Sequence, residues 1–161
     1  MIRLLTQDDF TIWKAIRLEA LKEHPQAFSG SYEEESLRSD EEWKKRLKDS
    51  CVFAYFDNNK IAGVVGYYPH QVKKDAHRAE VYTTYLQSNS RNKGVMSALI
   101  QALAEHARKS GIEQLELDVT AHLSEAKKCY ERNGFTVYGT KPRTLKIAGK
   151  YYDTLMMIKY L

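Results

Sequence analysis

The stretch Ser90–Leu103, SRNKGVMSALIQAL, passes directly from a polar loop with one glycine into a helical pattern. Val95, Leu99 and Leu103 are spaced four residues apart, so they share one face of a helix predicted over residues 95–109. The first turn of a helix has unpaired backbone N–H groups and a partial positive charge. This helix start is therefore suited to an anion, above all to a phosphate group.

Periodic patterns on both sides of this stretch predict an α/β chain with a mixed sheet. The predicted order is β-α-α-β-β-β-α-β-α-β-β, in which hairpins alternate with helical crossovers. Asn58-Asn59 and Ala148-Gly149 are expected at hairpin turns, and Gly111 and Gly134 at helix ends. Because we find no linker, repeat or low-complexity tract, residues 1–161 are predicted to form a single domain.

Two elements after the predicted helix carry further signals. Residues 113–120, EQLELDVT, alternate strictly, which places one set inside, Leu115, Leu117 and Val119, and the other outside, Glu116, Asp118 and Thr120. Ser124 is expected to cap a short helix whose inner face includes Tyr130.

The composition is typical of an ordinary soluble globular protein. The net charge of +4 is small and spread along the chain, so we expect no nucleic-acid binding. No apolar run approaches the roughly 18 residues of a membrane span. The five histidines and the two cysteines, Cys51 and Cys129, show no metal-ligand spacing. Without a signal peptide, the chain is expected to be cytoplasmic, with reduced thiols and no metal.

Two motifs, in the correct order on the predicted elements, resemble the GNAT superfamily of acyl-CoA N-acyltransferases. Residues 91–96, RNKGVM, correspond to the family's R/Q-x-x-G-x-G/A, with Met96 where the family has Gly or Ala. Residues 123–130, LSEAKKCY, correspond to N-x-x-A-x-x-x-Y, with Leu123 in place of Asn, and Gly134-Phe135 follow. The resemblance implies the GNAT fold, of α+β type. This is a mixed, mostly antiparallel sheet of about seven strands with about four helices, splayed between the fourth and fifth strands.

The resemblance also implies a site for acetyl-CoA. Backbone N–H groups around Gly94 would face the pyrophosphate, and Arg91 and Lys93 would add positive charge. The preceding strand would pair with the pantetheine arm, and an N–H near Tyr85 would stabilise the oxyanion formed on the thioester carbonyl. The expected cofactor-binding residues are Thr84, Tyr85, Leu86, Arg91, Asn92, Lys93, Gly94, Val95, Met96, Ser97, Leu123, Ala126 and Tyr130.

Two residues are candidates for catalysis. Tyr130 would donate a proton to the departing thiolate, and its alternative role is that of a packed tyrosine. Glu80 would accept the proton of the amine, directly or through water; its alternative role is that of a salt-bridged strand residue. Glu33 and Glu34 are alternative bases. The residues expected to bind the acceptor are Phe28, Tyr32, Glu33, Glu34 and Tyr82.

We therefore predict an N-acetyltransferase that moves an acetyl group from acetyl-CoA to a primary amine by direct attack in a ternary complex. One alternative acceptor is a protein N-terminus or lysine. A second alternative is a non-catalytic acyl-CoA-binding or interaction module, which the departures at Met96 and Leu123 favour. A small-molecule amine is the expected partner, and the resemblance is compatible with a homodimer. The acidic residues of 31–42 fit either a cationic acceptor, such as a polyamine or aminoglycoside, or a solvated helix.

Overall fold

A seven-stranded sheet forms the centre of the structure, a computed structural model that describes residues 1–161. The strands are β1 (Ile2–Leu4), β2 (Cys51–Asp57), β3 (Lys60–Pro69), β4 (Arg78–Leu86), β5 (Gln114–Thr120), β6 (Thr136–Ile147) and β7 (Lys150–Tyr160). The helices are α1 (Phe10–Glu23), α2 (Tyr32–Ser36), α3 (Asp40–Lys48), α4 (Val95–Lys109) and α5 (Ser124–Arg132). The predicted order and fold class are confirmed. There are five helices because residues 32–48 form two. None of the helices has the length and hydrophobicity that a bilayer span requires.

The sheet is splayed between β4 and β5. The strand order is β1-β2-β3-β4-β5-β7-β6, and only β4 and β5 are parallel neighbours. Their pairing is limited to three residues, Arg78–Glu80 opposite Gln114–Glu116. Beyond these pairs the residues of the two strands are not paired with each other, so the predicted opening between the fourth and fifth strands is confirmed.

A bulge in β4 accompanies the opening. Tyr82 is paired with Gly66 and Tyr85 with Val64, so three steps along β4 match two along β3. Thr83, within this extra length, has a φ of 54°, which is rare for a β-branched residue. A bulge bends its strand and increases the local twist, which turns the end of β4 away from β5.

Two separate cores cover the faces of the sheet. On one face α4 packs Leu99 and Leu103, both fully buried, against Leu115 and Leu117 of β5. On the other face the core contains residues of α1 and α3 packed on β2, β3 and β4, and no residue of β5, β6 or β7 belongs to it. The opening between β4 and β5 therefore lies at the border of this second core.

Local turn signals in the sequence are confirmed, and two details of the prediction are wrong. Both predicted hairpin turns and both predicted helix ends have residues with positive φ, namely Asn58, Asn59, Ala148, Gly149, Gly111 and Gly134. Glu116 and Thr120 are buried rather than outside, because Arg78 binds the first and the Thr120 hydroxyl donates to the Gln26 carbonyl at 2.6 Å. Ser124 is the first residue of α5, and Leu123 takes the cap position without a side-chain hydrogen bond.

Candidate active site

The loop before α4 and the first turn of the helix present six consecutive backbone N–H groups, those of Asn92 to Ser97, that donate to no acceptor within the protein. The first bond of the helix runs from the Ala98 N–H to the Gly94 carbonyl at 3.0 Å. Gly94 occupies the cap position with a φ of 75°, and no side chain caps the helix. The loop is exposed, so these donors and the positive end of the helix dipole are open to an anion.

The side chains of the loop leave these donors uncovered. Arg91 donates through Nε to the Leu86 carbonyl at 2.9 Å, which ties the loop to the end of β4. Its Nη2 lies 3.1 Å from Nε2 of His24, the residue that follows α1. Val95 and Met96 pack against the first core. The long Met96 side chain is therefore turned away from the N–H groups, although a glycine or alanine is typical at this position.

The end of β4 turns part of its backbone towards the opening. The Gln87 N–H donates to the Ala62 carbonyl of β3 at 2.9 Å. Because backbone groups alternate in direction along a strand, those of Thr84 and Leu86 point away from β3, whereas those of Tyr85 point towards it. The Tyr85 side chain lies under α1, where its hydroxyl is within 2.8 Å of a Glu19 carboxylate oxygen.

Tyr130 reaches this edge of β4 from α5. Its ring packs edge-on against Phe135, with the ring centroids 5.7 Å apart. Burial raises the pKa of Tyr130 to about 12, while the neighbouring Thr84 hydroxyl lowers it. The phenol of Tyr130 is therefore protonated at neutral pH, and it faces the β4 strand across the opening. The other residues of this motif lie beside it: Leu123 at the helix cap and Ala126 against the first core.

Glu80 lies at the last pair before β4 and β5 separate. Burial, followed by the charges of Asp118 and Glu116, raises the pKa of Glu80 to about 7. Its carboxylate makes no ion pair, whereas Glu116 accepts two hydrogen bonds from Arg78, at 2.7 and 3.0 Å. A carboxylate with this pKa can exchange a proton near neutral pH, as a general base must.

His70, Glu80 and Glu116 each place one ligating atom within 4.8 Å of the other two. The histidine spacing in the sequence does not reveal this group. Because Arg78 already binds Glu116, we interpret the group as an ion-pair cluster and assign no metal to it.

The structure brings together only some of the residues expected at the acceptor. Phe28 and Tyr82 both pack against the second core, and the Tyr82 hydroxyl lies 2.6 Å from Ser50 Oγ. Tyr32 contacts Lys22 instead, with the Lys22 amine 4.7 Å from the ring centroid. Glu33 and Glu34 are exposed, and Glu34 accepts a hydrogen bond from Ser31 at the start of α2.

Three charged residues that the sequence interpretation missed lie beside Phe28 and Tyr82. Arg17 donates to both carboxylate oxygens of Glu35, at 2.8 and 3.1 Å, and Arg46 donates to Glu35 at 3.0 Å. The Arg17 guanidinium also covers the Phe28 ring at 4.7 Å. Arg17 stands four residues after Trp13 on the buried face of α1. The sequence signal for this cluster was therefore Arg17, a charged residue among the apolar residues on the buried face of α1.

A comparison with models of protein families shows to which family the chain belongs. A model described as the acetyltransferase (GNAT) family matches residues 13–135. The chain belongs to the GNAT acetyltransferase family. The acyltransferase class predicted from the two motifs is thereby confirmed.

Individual GNAT relatives are distant in sequence. The mycothiol acetyltransferase of Thermobispora bispora is 28% identical over 133 residues, which are 80% of this chain but only 43% of that protein. The chain therefore spans less than half the length of this relative. The L-amino acid N-acetyltransferase AaaT of Escherichia coli K12 is 28% identical over 124 residues, with 75% of this chain and 76% of that protein covered.

Solved GNAT structures superpose along the whole chain. The GNAT acetyltransferase of Streptococcus pneumoniae has a TM-score of 0.89 at 26% identity, with 100% of this chain and 99% of that chain covered. YncA of Salmonella typhimurium, a putative acetyltransferase solved with acetyl-CoA, has a TM-score of 0.86 at 17% identity, covering 100% and 93%. The second likeness shows the fold alone.

Proposed function

We propose that this GNAT protein is an N-acetyltransferase that transfers the acetyl group of acetyl-CoA to the primary amine of a small molecule. The observation that carries the proposal is the row of six unpaired N–H groups at Asn92 to Ser97, beside the open edge of β4. Phosphate groups bind such N–H groups at the start of a helix. The YncA structure, which contains acetyl-CoA and shares this fold, supports the choice of ligand.

The residues around the opening fit this ligand. The N–H groups of Asn92 to Ser97 would hold the pyrophosphate, and the backbone of Thr84 would pair with the pantetheine arm. The acetyl-CoA thioester supplies an activated acyl group. The protein therefore has to orient an amine, accept a proton from it and donate a proton to the departing sulfur. Leu123 offers no side-chain hydrogen bond to the arm, which leaves this contact to backbone groups.

Two residues would carry out these proton transfers. Glu80, half-buried at the point where β4 and β5 separate, would accept a proton from the incoming ammonium or amine. Tyr130, protonated and close to Thr84, would donate a proton to the sulfur that leaves. Tyr130 packs on the face of the sheet that the first core covers, and Glu80 lies on the other face, so the two proton transfers would use separate groups.

Tyr130→Phe is expected to lower kcat by about 100-fold, at the low end of the range for general acids. The loss is at this end because a thiol with a pKa of about 8.5 leaves readily without help. Release of CoA, followed with a thiol reagent at saturating amine, measures the effect. Tyr160→Phe, which changes an exposed tyrosine, is the matched control. Equal rates for Tyr130→Phe and wild type would exclude Tyr130 as the proton donor.

Gly94→Trp is expected to weaken acetyl-CoA binding by about 100-fold, since the loss of two charge-assisted hydrogen bonds costs about 3 kcal/mol. Gly111→Trp is the control, because Gly111 also has positive φ and open space around it but lies at the other end of α4. Calorimetry measures both variants. Equal weakening by the two substitutions would show that backbone strain, rather than the anion site, is responsible. Tight binding without turnover of any amine would favour a non-catalytic module.

A further inference from the structure

We infer that the amine accepted by this protein carries a carboxylate or another oxyanion, which binds to Arg46 in a groove beside Tyr82. The inference rests on the proposed acetyltransferase function and specifies its substrate class. It starts from the buried charges of the second core, which the proposed chemistry does not use.

The cluster of Arg17, Glu35 and Arg46 has a net positive charge. Both guanidiniums share one carboxylate, and neither forms an ion pair with any other residue. The Arg17 and Glu35 side chains are 7% and 5% exposed, and that of Arg46 is 24% exposed. An unpaired charge in such surroundings is unfavourable, so the cluster is suited to receive an anion from outside.

Arg46 has the donors to bind that anion. It donates to Glu35 through Nη1 alone, which leaves its Nε and Nη2 groups without a partner in the protein. Neither atom is among the buried polar atoms that lack a partner, so both reach the surface. The ring centroids of Trp13 and Trp43 lie 5.1 and 5.0 Å from the Arg46 guanidinium, and the two rings fix its position.

The groove next to Arg46 is positively charged. It has a volume of about 880 Å³, and its walls include Lys45, Arg46, Lys48 and Asp49. Asp49 is held in an ion pair with Lys45, which cancels these two charges. Lys48 forms no ion pair, so Lys48 and Arg46 supply the positive charge that an anionic ligand would meet.

The proposed base lies next to the tyrosine wall of the groove. Tyr68 and Tyr82 form its other wall, with their ring centroids 5.3 Å apart. Tyr68 is the register partner of Glu80, and Tyr82 follows Glu80 by two residues on the same face of β4, about 7 Å along the strand. An amine at Glu80 and an oxyanion at Arg46 would lie on either side of this tyrosine wall, so we infer that the acceptor is an amino acid or a similar anionic amine.

The acidic residues that suggested a cationic acceptor do not line this groove. Glu33 and Glu34 are exposed on α2, and Glu35 is already bound by two arginines. The charges nearest the groove thus favour an anionic amine over a polyamine.

The test compares matched acceptors: L-phenylalanine with L-phenylalaninamide, L-methionine with L-methioninamide, and spermidine as the cationic probe. We expect kcat/KM for each acid to exceed that for its amide by at least 10-fold, although the amine of the amide is less basic and more of it is neutral. Arg46→Gln is expected to lower kcat/KM for the acids by about 10- to 100-fold and to leave the amides within about threefold, as for one lost charge-assisted hydrogen bond.

Folding of the variant can be checked independently. Arg46→Gln leaves Arg17 and Glu35 as a balanced pair, and a melting curve reports whether the fold is retained. Lys48→Gln, on the exposed rim, tests the same charge without touching the core and is expected to lower kcat/KM for the acids by about threefold to 10-fold. Lys44→Gln removes a lysine of the same helix that is not part of the groove and is the control.

The outcomes separate this inference from the function on which it rests. Acetylation of the amides or of spermidine as efficiently as the acids would overturn the inference and leave the acetyltransferase function standing. An equal loss for acids and amides in both Arg46→Gln and Lys48→Gln would also overturn it. No turnover of any amine by a protein that binds acetyl-CoA would overturn the proposed function, and the inference with it.

Discussion

Glu80→Gln is expected to lower kcat/KM for the amine by about 1,000-fold at pH 8, within the range for loss of a general base. Glutamine has nearly the same size, so it fills the same space between the strands but cannot accept the proton. Glu113→Gln, at an exposed position before β5, is the matched control and is expected to retain wild-type activity. Activity within threefold of wild type in Glu80→Gln would contradict the assignment of Glu80 as the base.

The pH dependence provides a second test of Glu80. Because the pKa of Glu80 is about 7, wild-type kcat/KM should fall about tenfold more per pH unit below pH 7 than above it. In Glu80→Gln this inflection should be absent, and the remaining pH dependence should follow the amine alone. An unchanged inflection near pH 7 would assign it to another group.

The same substitution is expected to stabilise the fold. The raised pKa means that the folded state holds the Glu80 proton at pH values where the unfolded state has lost it. Stability therefore falls as pH rises from the usual carboxyl range, near 4.5, to about 7, and the cost above pH 7 is up to about 3 kcal/mol. Glu80→Gln should remove this cost, so its melting temperature at pH 8 should exceed that of wild type. A higher melting temperature together with a lower activity would identify Glu80 as a catalytic base, because the loss of a structural residue would lower both.

Glu35→Gln is expected to lower the free energy of unfolding by about 3–5 kcal/mol at pH 7. The substitution leaves two arginines without a counter-charge: Arg17, which is nearly closed to water, and Arg46 beside it. Urea unfolding followed by circular dichroism measures the loss. Glu33→Gln changes an exposed neighbour in the same helix and is expected to stay within about 0.5 kcal/mol of wild type.

The sign of the pH effect follows from the pKa of Glu35. Burial raises this pKa. The hydrogen bonds and charge of Arg17, and then those of Arg46, lower it by more than burial raises it, so the net shift is downward. The stabilisation by Glu35 is therefore present above the usual carboxyl pKa and is lost as pH falls through the lowered one. The difference between wild type and Glu35→Gln should shrink in acid. A constant difference from pH 7 to pH 3 would show that ionisation of Glu35 is not the source of the stabilisation.

Local sequence signals predicted most of the fold. Alternating strands, the helix over residues 95–109 and the turns at Asn58-Asn59 and Ala148-Gly149 depend on neighbours in the chain, and each was confirmed. The burial of Glu116 was not predictable from alternation. It depends on Arg78, which is distant in sequence and reaches Glu116 only because β4 and β5 are neighbours.

The site was predicted unevenly for the same reason. Short sequence motifs predict the loop at Gly94 and the helix of Tyr130. The chemistry proposed for both depends on local backbone geometry, which neighbouring residues in the chain determine. The bulge at Thr83 has no local signal, since two threonines in a row look like ordinary strand residues. Glu35 looked like one of several solvated carboxylates in YEEES, and only the packing of α1, α2 and α3 distinguishes it from Glu33 and Glu34.

The most direct test of acetyl-CoA binding at the start of α4 is an NMR titration of the backbone amides with acetyl-CoA. We expect the amide resonances of Asn92 to Ser97 to shift most, because their N–H groups exchange water for the pyrophosphate, and those of Thr84 and Tyr130 to shift with them. Binding that leaves the amides of Asn92 to Ser97 unchanged while resonances elsewhere shift would show that the cofactor occupies a different part of the fold.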